Sequence, residues 1–255
     1  MASSKTELGE KLRDAAKDGN VKEIIRLIQL GADVYVDDAS ELNGWTALMA
    51  ASQEGQLECV MMLLDRGVQV NMQDMDGSTT LMAASENGQV ECVAMLLDRG
   101  AEVKLQNKNG WTALMAASFA GNIECVRMLL DRSAEVNIQD KNGWTALMVA
   151  SQEGKVECVE KLLDRGADIN MQTENGWTAL MFASHKGKVE CVEKLLDRGA
   201  DINMQTENGR TALMVASIAG NVQCVRMLLD KSAEVNMQDT SPPVVDDGFV
   251  HMNPV

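Results

Sequence analysis

Histidine is almost missing from this chain: two occur among 255 residues, His185 and His251. A Ser/His/Asp or Cys/His relay needs an imidazole beside its nucleophile, and no such set can be assembled here from elements that recur. There is no glycine-rich phosphate loop with its lysine, and no HExxH helix. Catalysis is therefore not expected, and neither a cofactor nor a metal is implied. Proline occurs three times, two of them adjacent at Pro242 and Pro243. That suits helix and tight turn until near the end. No stretch approaches the ~20 consecutive apolar residues that span a bilayer. The opening MASSKTELGEKLRDAAKDG holds no apolar core of a secretory signal. A soluble intracellular protein is expected, cytoplasmic, with the nucleus also open. Positive charge is in deficit, 23 basic against 38 acidic side chains, for a net charge of −15. Such a surface repels phosphate backbones and anionic lipid, so neither nucleic acid nor membrane is an expected partner. The charge reads first as solubility.

What is present is a repeat. Cysteines stand at 59, 92, 125, 158, 191 and 224, every interval being 33 residues. Glycines keep the same period at 44, 77, 110, 143, 176 and 209, and again at 55, 88, 121, 154, 187 and 220. A fixed period of this length marks a stacked-repeat architecture. Within one unit, Asn142-Gly143 is a tight-turn signal. Thr145 sits where an N-cap belongs, and a short alanine-rich helix follows. Gly154 ends that helix in the left-handed region. Val156, Val159, Leu162 and Leu163 then lie at helical spacing in a second helix that Gly166 closes. Residues 155–176 and 188–209 are identical over 22 positions, which points to duplication.

The unit resembles the ankyrin-repeat family. The family's Gly-x-Thr-Pro-Leu-His-x-Ala-Ala signature stands here as Gly-Trp-Thr-Ala-Leu-Met-x-Ala-Ser in most units. LLDRGADIN at 162–170 and 195–203 matches the Leu-Leu-x-x-Gly-Ala-Asp-Val-Asn signature. The resemblance implies an all-α solenoid of stacked helix-turn-helix units with β-turn or hairpin tips. Its expected parts are an N-terminal capping repeat and connector over 1–40, then six repeats over 41–239, then a tail over 240–255. The repeats run at about 41–73, 74–106, 107–139, 140–172, 173–205 and 206–239. Three departures stand out. The signature proline is alanine at 47, 113, 146, 179 and 212 and threonine at 80. The histidine is methionine at 49, 82, 115, 148, 181 and 214, an apolar column best read as core filling. Ser133 and Ser232 replace helix-closing glycines, at a cost of up to ~1 kcal/mol each if φ is positive. Cysteines at equivalent places in stacked helices lie about 8–10 Å apart, beyond the ~7 Å reach of a disulfide. They read as small buried hydrophobes in a reducing compartment.

Family members commonly bind proteins on the concave face made by turn tips and first helices. The resemblance thus implies a non-catalytic adaptor or scaffold. Two alternatives are an inhibitor of an enzyme or transcription factor and an assembly unit that self-associates through its C-terminal face. The column after the turn glycine reads Trp45, Ser78, Trp111, Trp144, Trp177 and Arg210. The tryptophans either form a binding ladder, given their enrichment at hot spots, or pack on the neighbouring turn. The variable pairs before the next glycine add Gln53, Phe119, Gln152, His185, Lys186 and Ile218. Phe119 and Ile218 are apolar where solvent favours polar residues. His185-Lys186 is a basic spot on an acidic molecule, fit for an acidic element of the partner. Asn71, Asn137, Asn170, Asn203 and Asn236 each follow Val or Ile, with leucine eight residues before. They look like the sites that asparagine hydroxylases modify in ankyrin repeats, or else they brace the turn.

The ends differ. Lys11, Arg13, Asp14, Lys17, Lys22, Glu23 and Arg26 crowd the first unit as a cap should. The last second helix, NVQCVRMLLDKS, is as apolar as the interior ones. The tail carries Val244, Val245, Phe249, Val250, Met252 and Val255. It is read as a flap over the last repeat, as a partner-binding element, or as the mark of a chain cut from a longer array. Thr240-Ser241-Pro242 offers a weak proline-directed phosphorylation signal. A monomer is expected, with self-association through the last repeat open.

Overall fold

In the computed structural model the described residues are 2–34 and 44–240, with the side chains of 2–6 left aside. The connector 35–43 and the tail beyond Thr240, including Ser241, Pro242 and His251, lie outside them. Two compact units are present, Met1–Glu135 and Val136–Val255.

The first unit holds four helix pairs: α1 (Ala2–Lys17) with α2 (Val21–Gln29), α3 (Ala47–Gln53) with α4 (Leu57–Asp65), α5 (Thr80–Glu86) with α6 (Val90–Asp98), and α7 (Ala113–Ala120) with α8 (Ile123–Asp131). The second unit holds three: α9 (Ala146–Glu153) with α10 (Val156–Asp164), α11 (Ala179–His185) with α12 (Val189–Asp197), and α13 (Ala212–Ile218) with α14 (Val222–Asp230). Within each unit first helices pack on first helices and second on second, as α3 on α1 and α5, or α12 on α10 and α14. The described residues contain one isolated β-bridge, Gln73 with Thr79, at a turn tip. The class is all-α.

Local chemistry builds each pair. Thr178 Oγ1 accepts the N–H of Met181 at 3.3 Å, and Thr145 does the same for Met148. A threonine thus caps every first helix of the six repeats that follow α2. Gly154 closes α9 at a φ of +74°. At the end of α10, Gly166 N–H reaches the Leu163 carbonyl at 3.1 Å and Ala167 N–H reaches Leu162 at 3.0 Å. This pair of bonds is the Schellman motif. Ser133 and Ser232 close their helices in the same way, at φ of +62° and +67°. A side chain is strained in that region by roughly 1 kcal/mol.

Alanines, Cys92, Cys125, Leu96 and Leu129 fill the first unit, and Cys158, Cys191, Val192 and Leu195 the second. Met49, Met82, Met115, Met148 and Met181 are buried with them. All six cysteines are free and buried. Burial lifts the thiols of Cys92, Cys125, Cys158 and Cys191 to about 11, because a thiolate loses its hydration there.

Within each unit polar ties cross the junctions at fixed offsets. Gln89 Nε2 donates to the Gln53 carbonyl at 2.8 Å, and Asn221 Nδ2 to the Ser184 and His185 carbonyls at 2.9 and 2.6 Å. Gln172 Nε2 bonds the carbonyl of its own turn glycine, Gly176, at 2.8 Å and that of Gln205 in the next repeat at 3.0 Å. Exposed ion pairs form a further column: Asp65 with Arg99, Asp98 with Arg132, Asp164 with Arg198 and Asp197 with Lys231. Each half-buried amide tie contributes about 1 kcal/mol, and each exposed pair ~0–1 kcal/mol.

The α1–α2 capping repeat departs from a solvated cap most at one residue. Arg13 is buried, and its Nη1 lies 3.5 Å from the Trp45 carbonyl. Lys11, Lys17, Lys22 and Arg26 are exposed.

Candidate functional site

The tryptophans are seated by their turns. Asp140 Oδ1 accepts the N–H groups of Asn142 and Trp144, both at 2.8 Å. Asn107 does the same for Asn109 and Trp111 at 2.9 Å, and Thr173 Oγ1 takes the Trp177 N–H at 3.0 Å. An acceptor four residues earlier therefore fixes the backbone from which each indole projects. The glycine between them has two reasons to be glycine. Gly143 has a φ of +83°, and a Cβ there would lie 2.8 Å from the Thr173 Cα and the Glu174 nitrogen. The next turn presses directly on it. Successive tips are joined by backbone bonds such as Glu174 N–H to the Asn142 carbonyl, 3.0 Å.

In the second unit Phe182 lies between two indoles. Its ring centroid is 4.0 Å from that of Trp144 and 5.0 Å from that of Trp177, both nearly parallel. Trp177 also meets His185 edge-on at 5.8 Å. Phe182 is 4% exposed, whereas both indoles are half-buried. In the first unit Trp111 meets Phe119 edge-on at 6.0 Å, both half-buried. Of the two expectations for the tryptophan column, packing describes these three: each indole packs on a ring and is half-buried. Phe182 was not among the expected site residues. Its signal was available, since the other repeats carry Ala50, Ala83, Ala116, Val149 and Val215 at that register.

The remaining expected residues fall differently. Trp45, Gln53 and Gln152 are half-buried, and Gln152 Nε2 donates to Glu153 at 3.1 Å. Lys186 is exposed beside half-buried His185. Burial first, and then the Lys186 charge, pushes the His185 imidazole below its ordinary pKa. Ile218 is 52% exposed. Arg210 corrects its expectation as a contact residue: it is 8% exposed, with Nε 3.2 Å from Asp239 Oδ2. An arginine that follows a turn glycine is drawn under the neighbouring turn when a carboxylate waits there. In the first unit Glu86 stands at the register of His185, and burial raises its carboxyl pKa.

The asparagines brace the next repeat rather than their own turn alone. Asn71, Asn137, Asn170 and Asn203 each accept, through Oδ1, the N–H of the residue 31 further on. Asn236 has no such bond among the described residues. No group of three or more His, Cys, Asp or Glu among the described residues is placed to hold a metal ion.

A family model described as ankyrin repeats (3 copies) matches residues 12–107, 99–173 and 156–239. Among solved structures, the human ASB11 ankyrin repeat domain superposes with a TM-score of 0.77 at 28% sequence identity. The alignment covers 91% of this chain and 99% of that one. A search of the curated proteins returns no match. Helix pairs, caps, turn tips and the family match over most of the length agree: the chain belongs to the ankyrin-repeat family.

Proposed function

We propose that this chain is a non-catalytic adaptor that holds a protein partner against the aromatic row of its second unit. Ankyrin repeats are generally protein–protein interaction modules and generally not enzymes. The observation that carries the finer reading is the Trp144–Phe182–Trp177 stack. Half-buried indoles clamped by a buried phenyl ring have already lost their rotamer freedom, so a partner that covers them meets little ordering cost. Lys186 at the rim supplies a cation, which suits an acidic residue of the partner beside an apolar one. Trp111 and Phe119 offer a second, smaller patch in the first unit. Six free, buried cysteines accord with residence in a reducing compartment, the cytoplasm. No helix among the described residues is long and apolar enough to cross a membrane. Hydroxylation of Asn71, Asn137, Asn170, Asn203 and Asn236 is a separate proposal, read out by added oxygen in peptide masses.

The test is a quantitative pull-down with the whole chain and with Trp144→Ala/Trp177→Ala, both checked for helicity. Each indole at the centre of an interface contributes about 2 kcal/mol or more. A partner lost selectively from the folded variant, and weakened by Lys186→Glu, supports the reading. An unchanged partner list sinks it.

A further inference from the structure

We propose that the outer face of the last repeat is a homotypic docking surface, on which a second copy of this chain packs α14 against α14 in antiparallel sense. Seven large hydrophobic residues stand exposed among the described residues, and four of them belong to this repeat. They are Ile218 at 52%, Val222 at 58%, Leu229 at 44% and Val235 at 64%. Val222, Arg226, Leu229 and Asp230 fall at i, i+4, i+7 and i+8, which places them along one side of the helix. In α12 the corresponding Val189 and Leu196 lie at a junction that α14 covers, and both are half-buried there. The outer face of α14 therefore has the composition of half an interface.

Charge selects the occupant. Most surfaces of a molecule with net charge −15 repel a copy of themselves. The second helices α4, α6, α8, α10 and α12 each carry an excess of acid and a glutamate in the first turn. In α14 that glutamate is Gln223, and the helix holds one arginine and one aspartate. Neither Arg226 nor Asp230 has an ion-pair partner among the described residues. An antiparallel crossing sets Arg226 of each copy against Asp230 of the other and brings the two Leu229 side chains together. The face is neutral, apolar and self-complementary, as a two-fold interface requires. So small a contact gives a weak dimer, with Kd on the order of 10–100 µM.

Sedimentation of the full chain over a wide concentration range tests this. The mass should rise from 27.7 kDa toward twice that value. Leu229→Glu should stay monomeric at every concentration. Arg226→Asp and Asp230→Arg should each weaken association about tenfold, the factor that ~1.4 kcal/mol represents. The double variant, and an equimolar mixture of the two single ones, should restore it. Restoration cannot come from altered folding, which circular dichroism checks in parallel. A wild type that stays monomeric throughout overturns the proposal, leaving the face to this chain's own remaining residues or to a different partner. Single charge variants that associate like wild type overturn it too.

Discussion

The α11–α12 pair and the α13–α14 pair are written in nearly the same letters and live in different environments. Val189 is half-buried and Val222 exposed; Val192 is buried and Val225 half-buried; Ser184 is buried and Ser217 exposed. Even hydrogen bonding differs, since Ser217 Oγ donates to the Leu213 carbonyl at 2.7 Å whereas Ser184 Oγ has no protein partner. Burial in a repeat array is a property of the junction and not of the residue. Stability is then a sum over neighbours, and a repeat covered on one side should open before one covered on both.

The largest test removes packing on each side of that contrast. Leu196→Ala, at the half-buried position that α14 covers, should cost about 1–2 kcal/mol, while Leu229→Ala, its exposed equivalent, should stay within ~0.5 kcal/mol. Equal costs in urea unfolding would show that something covers α14 as fully as α14 covers α12. The thiols offer a second probe. A thiol whose pKa is raised on folding leaves stability unchanged below about pH 8.5, where both states are protonated. Stability should then fall between pH 9 and the folded value of about 11. In native protein at pH 8, a thiol reagent should reach Cys224 before Cys158 or Cys191 if the last repeat opens first. Smaller is the serine contrast. Ser184→Ala should be neutral or stabilising by up to ~1 kcal/mol because it deletes a buried, unbonded hydroxyl, and Ser217→Ala should change little. A clear loss at Ser184 would mean that its hydroxyl is satisfied. Smallest of all, Ser133→Gly and Ser232→Gly should each add ~0.5–1 kcal/mol by relieving positive φ. A loss at either site would show that the serine hydroxyl contributes more than the strain costs.

Much of the fold was readable because its signals are local. A threonine cap, a closing glycine and an apolar face at helical spacing all act within one turn of chain, so Thr145, Gly154 and Gly166 announced their roles. What stayed hidden depends on stacking. Gln172 reads as one polar residue in a loop until the next repeat brings the Gln205 carbonyl within 3.0 Å. Arg210 shared a register with four tryptophans and looked like a surface residue, yet Asp239 draws it inward. Phe182 sat in a column of small residues, and only the approach of two neighbouring turns made it a centre. Asn170 reads as a turn-bracing residue, and the structure shows which turn: its acceptor oxygen serves Asp201, one repeat away.

Those cross-repeat ties bear on how such a gene can change. Within each unit a junction is made of the same few amides, carbonyls and ion pairs, so a repeat inserted or lost whole leaves its neighbours with the partners they already use. The identical stretches at 155–176 and 188–209 are what copying of this kind leaves behind. Length is therefore the inexpensive variable, open to unequal crossover, while a feature that spans two repeats, like the ring of Phe182 between two indoles, survives only if the copying boundary falls elsewhere.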